Sequence, residues 1–481
     1  MHSLQTRVIW LLSLAMLAGC AVGPDYHRPK APDSTDYVPT PQPGVAPGEA
    51  QQLIKSMDIP GQWWTLFGSA SLDALIDDAL KHNADVEAAH AALQAAWENA
   101  YAERGAYFPA VSAGINPTRQ KNATDVASAV SSNANLYTLT TAQVSVSYAP
   151  DLWGGTRRQV ESMVAQAHAQ RFQLEATYLT LTANLVNAAI EEASLRAQID
   201  VTRRMIDVQA TVLKTLRRQQ ALGDVADAAV AAQVTVLEQT RQSLPPLRKQ
   251  LGQQRDLIAA LSGRMPDQPV DARFDLDSLH LPAELPLSLP AQLIEQRPDV
   301  RASEEQLHAA SAAIGVALAN RLPNVQIDAS LGSASEKTSS LFTSGTGLWS
   351  IGANLTQPLF DGGTLKHKQR AAEADYRQAA AQYRSTVISA AQNVADVLQA
   401  IQADAETLTA AQNTERAAMQ SLQIARKQQS VGDISESTLL VAELAWQQAS
   451  LALIQARAVR FADTAALFQA LGGGWWNRKD A

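Results

Sequence analysis

The chain contains the same unit twice, offset by about 210 residues and in an unchanged order of motifs. NADV at 83–86 answers RPDV at 297–300, and Phe108-Pro109 answers Leu322-Pro323. PDLWGG at 150–155 answers PLFDGG at 358–363, and RRQQALGD at 217–224 answers RKQQSVGD at 426–433. LSG at 261–263 answers LGG at 471–473. Such a period is far longer than that of a solenoid repeat, so the pattern describes a duplicated, pseudo-twofold chain.

Between the motifs lie stretches too long for a compact globule. Neither 156–222 nor 364–431 contains a Gly or a Pro. Each window predicts one helix of roughly 100 Å at about 1.5 Å per residue, against about a dozen residues for an average helix. Leu174, Tyr178, Leu181, Leu185, Ala188, Leu195 and Ile199 follow steps of three and four, interrupted at Glu192. Tyr376, Ala380, Tyr383, Val387, Ala390, Val394, Val397 and Ile401 keep the same rhythm, which packs knobs into holes. Val201, Met205, Val208 and Val212 form a second stripe, and two apolar seams require a neighbour on each side. Gly223-Asp224 and Gly432-Asp433 read as stop-and-restart signals, with Gly ending one helix and Asp capping the next. Each pair predicts the tip of a helical hairpin. Pro245-Pro246 predicts a kink or break that the second copy, with Ile454-Gln455, lacks.

Four short segments alternate with a period of two: residues near 109–116, 142–150, 324–332 and 348–358. Val111, Ala113 and Ile115, for example, alternate with Ser112, Gly114 and Asn116. One apolar and one polar face suit strands with lipid or core on one side and water on the other. Polar loops, 117–141 and 333–347, join each pair. Four strands cannot enclose water, and open edges are not tolerated in lipid, so membrane strands of this kind require several copies sharing one barrel.

The N-terminus assigns a compartment. Arg7, an eleven-residue apolar run from Val8 to Ala18, and the small residues before Cys20 read as a secretory signal over 1–19. The run is too short to span a bilayer as a helix. The ending LAGC at 17–20 resembles a bacterial lipobox, which implies cleavage between Gly19 and Cys20 and diacylglycerol and palmitate on Cys20. Cys20 is the only cysteine of the chain, so it has no disulfide partner. Ala21, rather than Asp, implies sorting onward to the outer membrane. A net charge of −8 argues against a nucleic-acid partner.

The domain reading that follows is a signal at 1–19, a lipid-anchored extended segment at 20–62 and a first repeat at 63–263. A linker at 264–292, a second repeat at 293–473 and a tail at 474–481 complete it. CAVGPDYHRP at 20–29, Gln62-Trp63-Trp64 with Phe67, and YAPDLWG at 148–154 match a known family when read in order. QRPDVR at 296–301, PLFDGG at 358–363 and ALGGGW at 470–475 continue the match. Over nearly its whole length the chain resembles the outer-membrane efflux lipoproteins, outer membrane factors of the TolC/NodT type that serve resistance-nodulation-division pumps.

The resemblance implies an α+β membrane protein with internal duplication. It implies a homotrimer with a transmembrane β-barrel of twelve strands, four per chain, continued by a long periplasmic α-helical barrel. The implied function is the passive exit duct of a tripartite system. A periplasmic adaptor (membrane fusion) protein and an inner-membrane pump supply small molecules, and outer-membrane lipid surrounds the barrel. The implied residence is the outer membrane of a Gram-negative cell, reaching into the periplasm, and no metal or cofactor is expected beyond the lipid.

Many members of that family carry an inward Asp nine residues after the Gly of the second hairpin, a place held here by Val441. Leu440 and Val441 are therefore the candidate gate, closing by excluding water. Glu436 and Glu443 lie out of register. The eight His residues are scattered, and no nucleophile elbow or phosphate loop is present. Asp151 and Asp361 read as helix-capping residues at equivalent strand-to-helix turns, and Trp63-Trp64 and Trp475-Trp476 as packing anchors. A type I secretion duct would share the fold but usually lacks the lipobox. A periplasmic coiled-coil scaffold lipoprotein would leave the alternating strands unexplained.

Overall fold

The computed structural model describes residues 21–31, 36–37, 51–125, 130, 132–288 and 290–478. The signal over 1–19 and Cys20 lie outside the described residues. In chain order the elements are β1 (Gln52–Lys55), α1 (Ala70–His82), α2 (Ala84–Arg104), β2 (Ala110–Lys121), β3 (Leu136–Tyr148), α3 (Gly155–Leu222) and α4 (Asp227–Leu261). There follow β4 (Glu284–Leu287), α5 (Pro290–Gln296), α6 (Pro298–Ala319), β5 (Asn324–Ser335), β6 (Gly347–Thr356), α7 (Thr364–Ser430) and α8 (Glu436–Ala470). Among the described residues no helix is long and apolar enough to cross a membrane.

The chain divides into two compact units. The first takes residues up to Pro29, Leu93–Gln170 and Ser303–Tyr383. It holds a four-stranded antiparallel sheet in the order β2-β3-β5-β6. The strands reach further than their apolar alternation predicts. β2 runs on to Lys121 and β3 starts at Leu136, so both take residues assigned above to the 117–141 loop. β5 likewise extends to Ser335. Ladder pairing with a neighbour carries these polar ends, as Thr118 opposite Leu139 and Thr140 opposite Ser335 show. Pro117 is tolerated because β2 is an edge strand.

The second unit takes Lys30–Ala92, Arg171–Ala302 and Arg384–Ala481. The uninterrupted helices α3, of 68 residues, and α7, of 67, pass into it and end where Gly223 and Gly432 were read as stops. Both glycines have positive φ, 84° and 81°, which L side chains rarely adopt. At each tip the Gly N–H and the following Asp N–H close the same pair of bonds: Gly223 to Gln220 O and Asp224 to Gln219 O, then Gly432 to Gln429 O and Asp433 to Gln428 O. This is the Schellman pattern, which satisfies the last carbonyls of the helix.

The expectation that Asp224 and Asp433 cap the next helix is corrected. The N-cap positions are Ala226 and Ser435, and neither makes a side-chain capping bond. The two Asp residues serve through their backbone instead, spent in closing the preceding helix. Pro245-Pro246 likewise does not break α4, which continues to Leu261. The carbonyls that lose a partner belong to Arg241 and Gln242, both exposed, where water replaces the missing N–H.

The predicted seams are inside this fold. Leu174, Leu181, Leu185, Ala188, Leu195 and Ile199 are buried, as are Val201 and Met205 of the second stripe. Glu192, the interruption, is buried too and is matched by charge: Arg196 Nη2 lies 2.5 Å and Arg255 Nη1 3.8 Å from its Oε1. Across the α3–α4 hairpin the buried Gln233 donates to Gln209 O at 3.0 Å. Across α7–α8, Leu422 and Ala425 pack on Leu439, and Trp446 Nε1 donates to Glu415 Oε1 at 2.9 Å. Further along, the fully buried Arg460 donates to Ile401 O.

One feature is new relative to the sequence reading, and one bears it out. β1 and β4 form a two-stranded parallel pair. Around Trp63, which is 1 % exposed, Phe468 stacks at 5.4 Å while Trp64 and Phe67 meet it edge-on. Trp475 Nε1 donates to Gln296 O at 2.7 Å, and Trp476 Nε1 to Asp58 Oδ1 at 3.1 Å. The paired tryptophans thus act as packing anchors. Trp63→Ala should lower stability by about 3–5 kcal/mol, the cost of deleting a large buried aromatic. Thermal unfolding in detergent, read by near-ultraviolet circular dichroism, checks this.

Candidate functional site

The sheet carries the first functional surface. Its register lines up like with like across all four strands. Ala113 faces Val144, which faces Leu331, which faces Trp349. Val111, Val146, Ala329 and Ile351 form a parallel row. Ser112, Ser145, Ser330 and Ser350 make the intervening row on the opposite face, where the Ser330 and Ser350 hydroxyls lie 2.8 Å apart. The apolar face is left uncovered: Val111, Ile115, Leu331, Trp349, Ile351 and Leu355 are all exposed. Each would gain roughly 1.5–3 kcal/mol on leaving water. The strands are 12, 13, 12 and 10 residues long, close to the roughly 9–11 that a tilted strand needs to cross a bilayer. Such a surface, apolar on one face and polar on the other, suits strands that meet lipid on one side and water on the other.

At the strand-to-helix junctions the carboxylates behave as read. Asp151 accepts from Thr156 N at 3.1 Å and Arg157 N at 3.0 Å. Asp361 accepts from Gly363 N and Leu365 N, each at 2.8 Å. The backbone bonds from Leu365 and Gly363 hold the Asp361 carboxyl below the ordinary carboxylate range. Leu359 and Phe360 beside it are almost wholly exposed, which the sequence reading did not single out. Their signal was present in PLFDGG as two large apolar residues at a polar turn.

The sequence reading also missed a strap formed by Ala21–Pro29. Val22 N donates to Trp153 O at 2.9 Å, and Arg158 Nη2 binds Asp25 Oδ1 at 2.6 Å. The Tyr26 ring stacks on His308 at 4.3 Å, and Arg28 Nε meets Glu304 Oε1 at 2.8 Å. His308 Nε2 is 2.9 Å from Glu161 Oε1 and its Nδ1 is 3.5 Å from Glu305 Oε2. The motif GPDY was legible, but not its partners, which lie more than a hundred residues away.

The hairpin tips are in the other unit. Leu222 and Val431, next to the tip glycines, are exposed. The two candidate gate residues part company. Val441 is 67 % exposed, whereas Leu440 is buried, beside Leu439 and its packing on Leu422. Glu443 is buried and pairs with Arg426 at 3.4 Å. Val441 is thus uncovered by the described residues, an apolar side chain at the place where the resemblance led to an expected Asp.

Comparison with known proteins agrees with these surfaces. The outer membrane efflux protein family matches residues 75–264 and 289–473. The chain is 28 % identical over 475 residues to the probable efflux pump outer membrane protein TtgC of Pseudomonas putida, covering 97 % of this chain and 96 % of that protein. It is 27 % identical over 418 residues to the pyoverdine export outer membrane protein OpmQ of Pseudomonas aeruginosa, covering 86 % and 87 %. The solved outer-membrane channel OprN superposes with a TM-score of 0.84 at 26 % identity, covering 95 % of this chain and all of that one. The protein belongs to the outer membrane efflux protein family. It is an efflux channel of the outer membrane.

The strap generates a pH prediction. The hydrogen bond to Glu305 and then that to Glu161 raise the His308 pKa, against burial, which lowers it. A raised folded-state pKa contributes stability that is complete below the unfolded value of about 6.5 and is lost as pH rises through the folded value. The thermal midpoint of wild type should therefore exceed that of His308→Gln most in mildly acidic buffer. The gap should close as pH rises, which a melting series across pH checks.

Proposed function

We propose that three copies of this chain share one twelve-stranded barrel, four strands from each, opening into a barrel of helices in the periplasm. The observation that carries this is the sheet itself: an uncovered apolar face on strands of spanning length, with β2 and β6 left as edges. Edges in lipid require partners, and further copies of the same sheet supply them. The first repeat, 63–263, and the second, 293–473, then contribute equivalent helical hairpins, a division supported by the two family matches at 75–264 and 289–473. The linker 264–292, the extended segment 20–62 and the tail 474–481 complete the chain.

The trimer is the exit duct of a tripartite system. A periplasmic adaptor and an inner-membrane pump of the resistance-nodulation-division type load it, and small organic molecules leave passively. Relatives named for export of pyoverdine, antibiotics and toluene support a duct of broad tolerance. Cys20, released by cleavage after Gly19, carries diacylglycerol and palmitate and ties the chain to the outer membrane. The hairpin tips at Gly223-Asp224 and Gly432-Asp433 form the periplasmic end. Val441, backed by the buried Leu440, lines an apolar constriction that closes by excluding water.

Reconstitution in planar bilayers tests the duct: wild type should give a water-filled pore of low open probability. Val441→Asp should raise conductance and cation preference severalfold, because a ring of carboxylates hydrates the constriction. Unchanged conductance in Val441→Asp removes the apolar gate, and absence of any pore removes the duct. Cys20→Ser should lose the lipid, seen as the missing acyl mass on the N-terminal peptide.

A further inference from the structure

The strap runs in a definite direction along α6. Gly23 lies against Gly315, so closely that a methyl group on Gly23 would sit 2.5 Å from the Gly315 Cα. Tyr26 stacks on His308, and Arg28 pairs with Glu304. From Gly23 to Arg28 the strap advances five residues, about 16 Å in extended chain. From Gly315 to Glu304 the helix retreats eleven residues, again about 16 Å. The strap is therefore extended and antiparallel to α6, and its N-terminal end points toward the C-terminal end of α6, where β5 begins.

That end meets a cavity. A methyl group on Gly154 would come within 2.6 Å of the Ala21 Cα, so Ala21 is seated directly on the β3–α3 turn. Trp153 and Gly155, on either side of Gly154, line a cavity of about 330 Å³. Cys20 is one residue, about 3.8 Å of chain, beyond Ala21. The cavity is of mixed character. Leu322 and Val325 give it an apolar wall, Gln159, Asn320 and Asn324 bring side-chain amides, and Glu103 and Asp151 add carboxylates, that of Asp151 already engaged by the Thr156 and Arg157 N–H groups. Leu152 lines its rim and is exposed.

We propose that this cavity seats the glyceryl ester carried by Cys20, the polar root of the chain's own lipid anchor. This rests on the lipidation of Cys20 proposed above. The chemistry matches. Ester carbonyls are acceptors only, and the amides of Gln159, Asn320 and Asn324 are donors suited to them. The volume admits a glyceryl group and its ester carbonyls but not the acyl chains, which leave over Leu152 into the bilayer. The strap, held by the Asp25–Arg158 and Arg28–Glu304 ion pairs, fixes the root of the anchor at the foot of the sheet, so the lipid is a positioned part of the protein and not a loose tether.

The test uses full-length protein from the outer membranes of cells fed alkyne-labelled palmitate, with photoreactive benzoylphenylalanine replacing Leu322 in the cavity wall. Replacement at Phe342, in the exposed loop after β5, gives the background, and replacement at Val325, also in the apolar wall, substitutes for Leu322 if that variant fails to fold. The mass of the N-terminal peptide is read first. The expected result is a lipidated Cys20 peptide joined through its glyceryl group to the 322-containing peptide, the alkyne palmitate marking the adduct, at least tenfold above the yield at Phe342. An unmodified Cys20 overturns the lipidation and the seat together. A lipidated Cys20 with equal yields at the two positions overturns the seat alone and leaves the lipidation standing.

Discussion

The central constraint in this structure is a sheet that cannot be stable in water as it stands. Four strands place their large apolar side chains in register on one face, and nothing among the described residues covers that face. β2 and β6 also end the sheet with unpaired edges. A core would solve the first problem and leave the second. Lipid solves the first, and only further strands solve the second once lipid is present. The two requirements together support the shared barrel proposed above, and the solved outer-membrane channel OprN has a closely similar fold.

The helical unit rests on a different balance. Its long helices are rich in Ala and the chain is only 5 % aromatic, a composition that favours close approach of helices over bulky interdigitation. What fixes each hairpin is a tip with one glycine in the left-handed region and two backbone bonds that close the helix. The same chemistry appears in both copies, at Gly223 and Gly432. Buried polar side chains then set the pairing along each hairpin: Gln233 to Gln209 O in one, Arg460 to Ile401 O in the other. Such bonds are costly to break in a low-dielectric interior, and this favours one register over its slipped alternatives.

Much of this was written in local sequence. The absence of Gly and Pro over 156–222 gave the length of α3 to within a residue, because helix ends are local events. The strands showed as alternation, but their polar ends did not, since Arg119, Gln120 and Lys121 extend only by pairing with β3. The Asp residues at the tips were misread as caps because Gly-Asp is a common restart signal. Their backbone role depends on the previous helix rather than the next. Pro245-Pro246 does not end its helix, because an exposed proline pair in a long helix releases only carbonyls that water can reach. The place counted nine residues on from Gly432, Val441, is exposed, whereas Leu440 beside it is buried by its packing, which no local pattern foretells. The strap was not legible either, since Asp25, Tyr26 and Arg28 find Arg158, His308 and Glu304 only after folding.

The claim that most needs a direct test is that the sheet is shared among copies in lipid. The measurement is the protein mass of the detergent-solubilised outer-membrane particle, with bound detergent subtracted by combined light scattering and refractive index. The account predicts three chains of 51.6 kDa, less the signal, in every particle, and precipitation when detergent is removed. A single chain that stays soluble without detergent would contradict it, because the apolar face and both edges would then be stable in water.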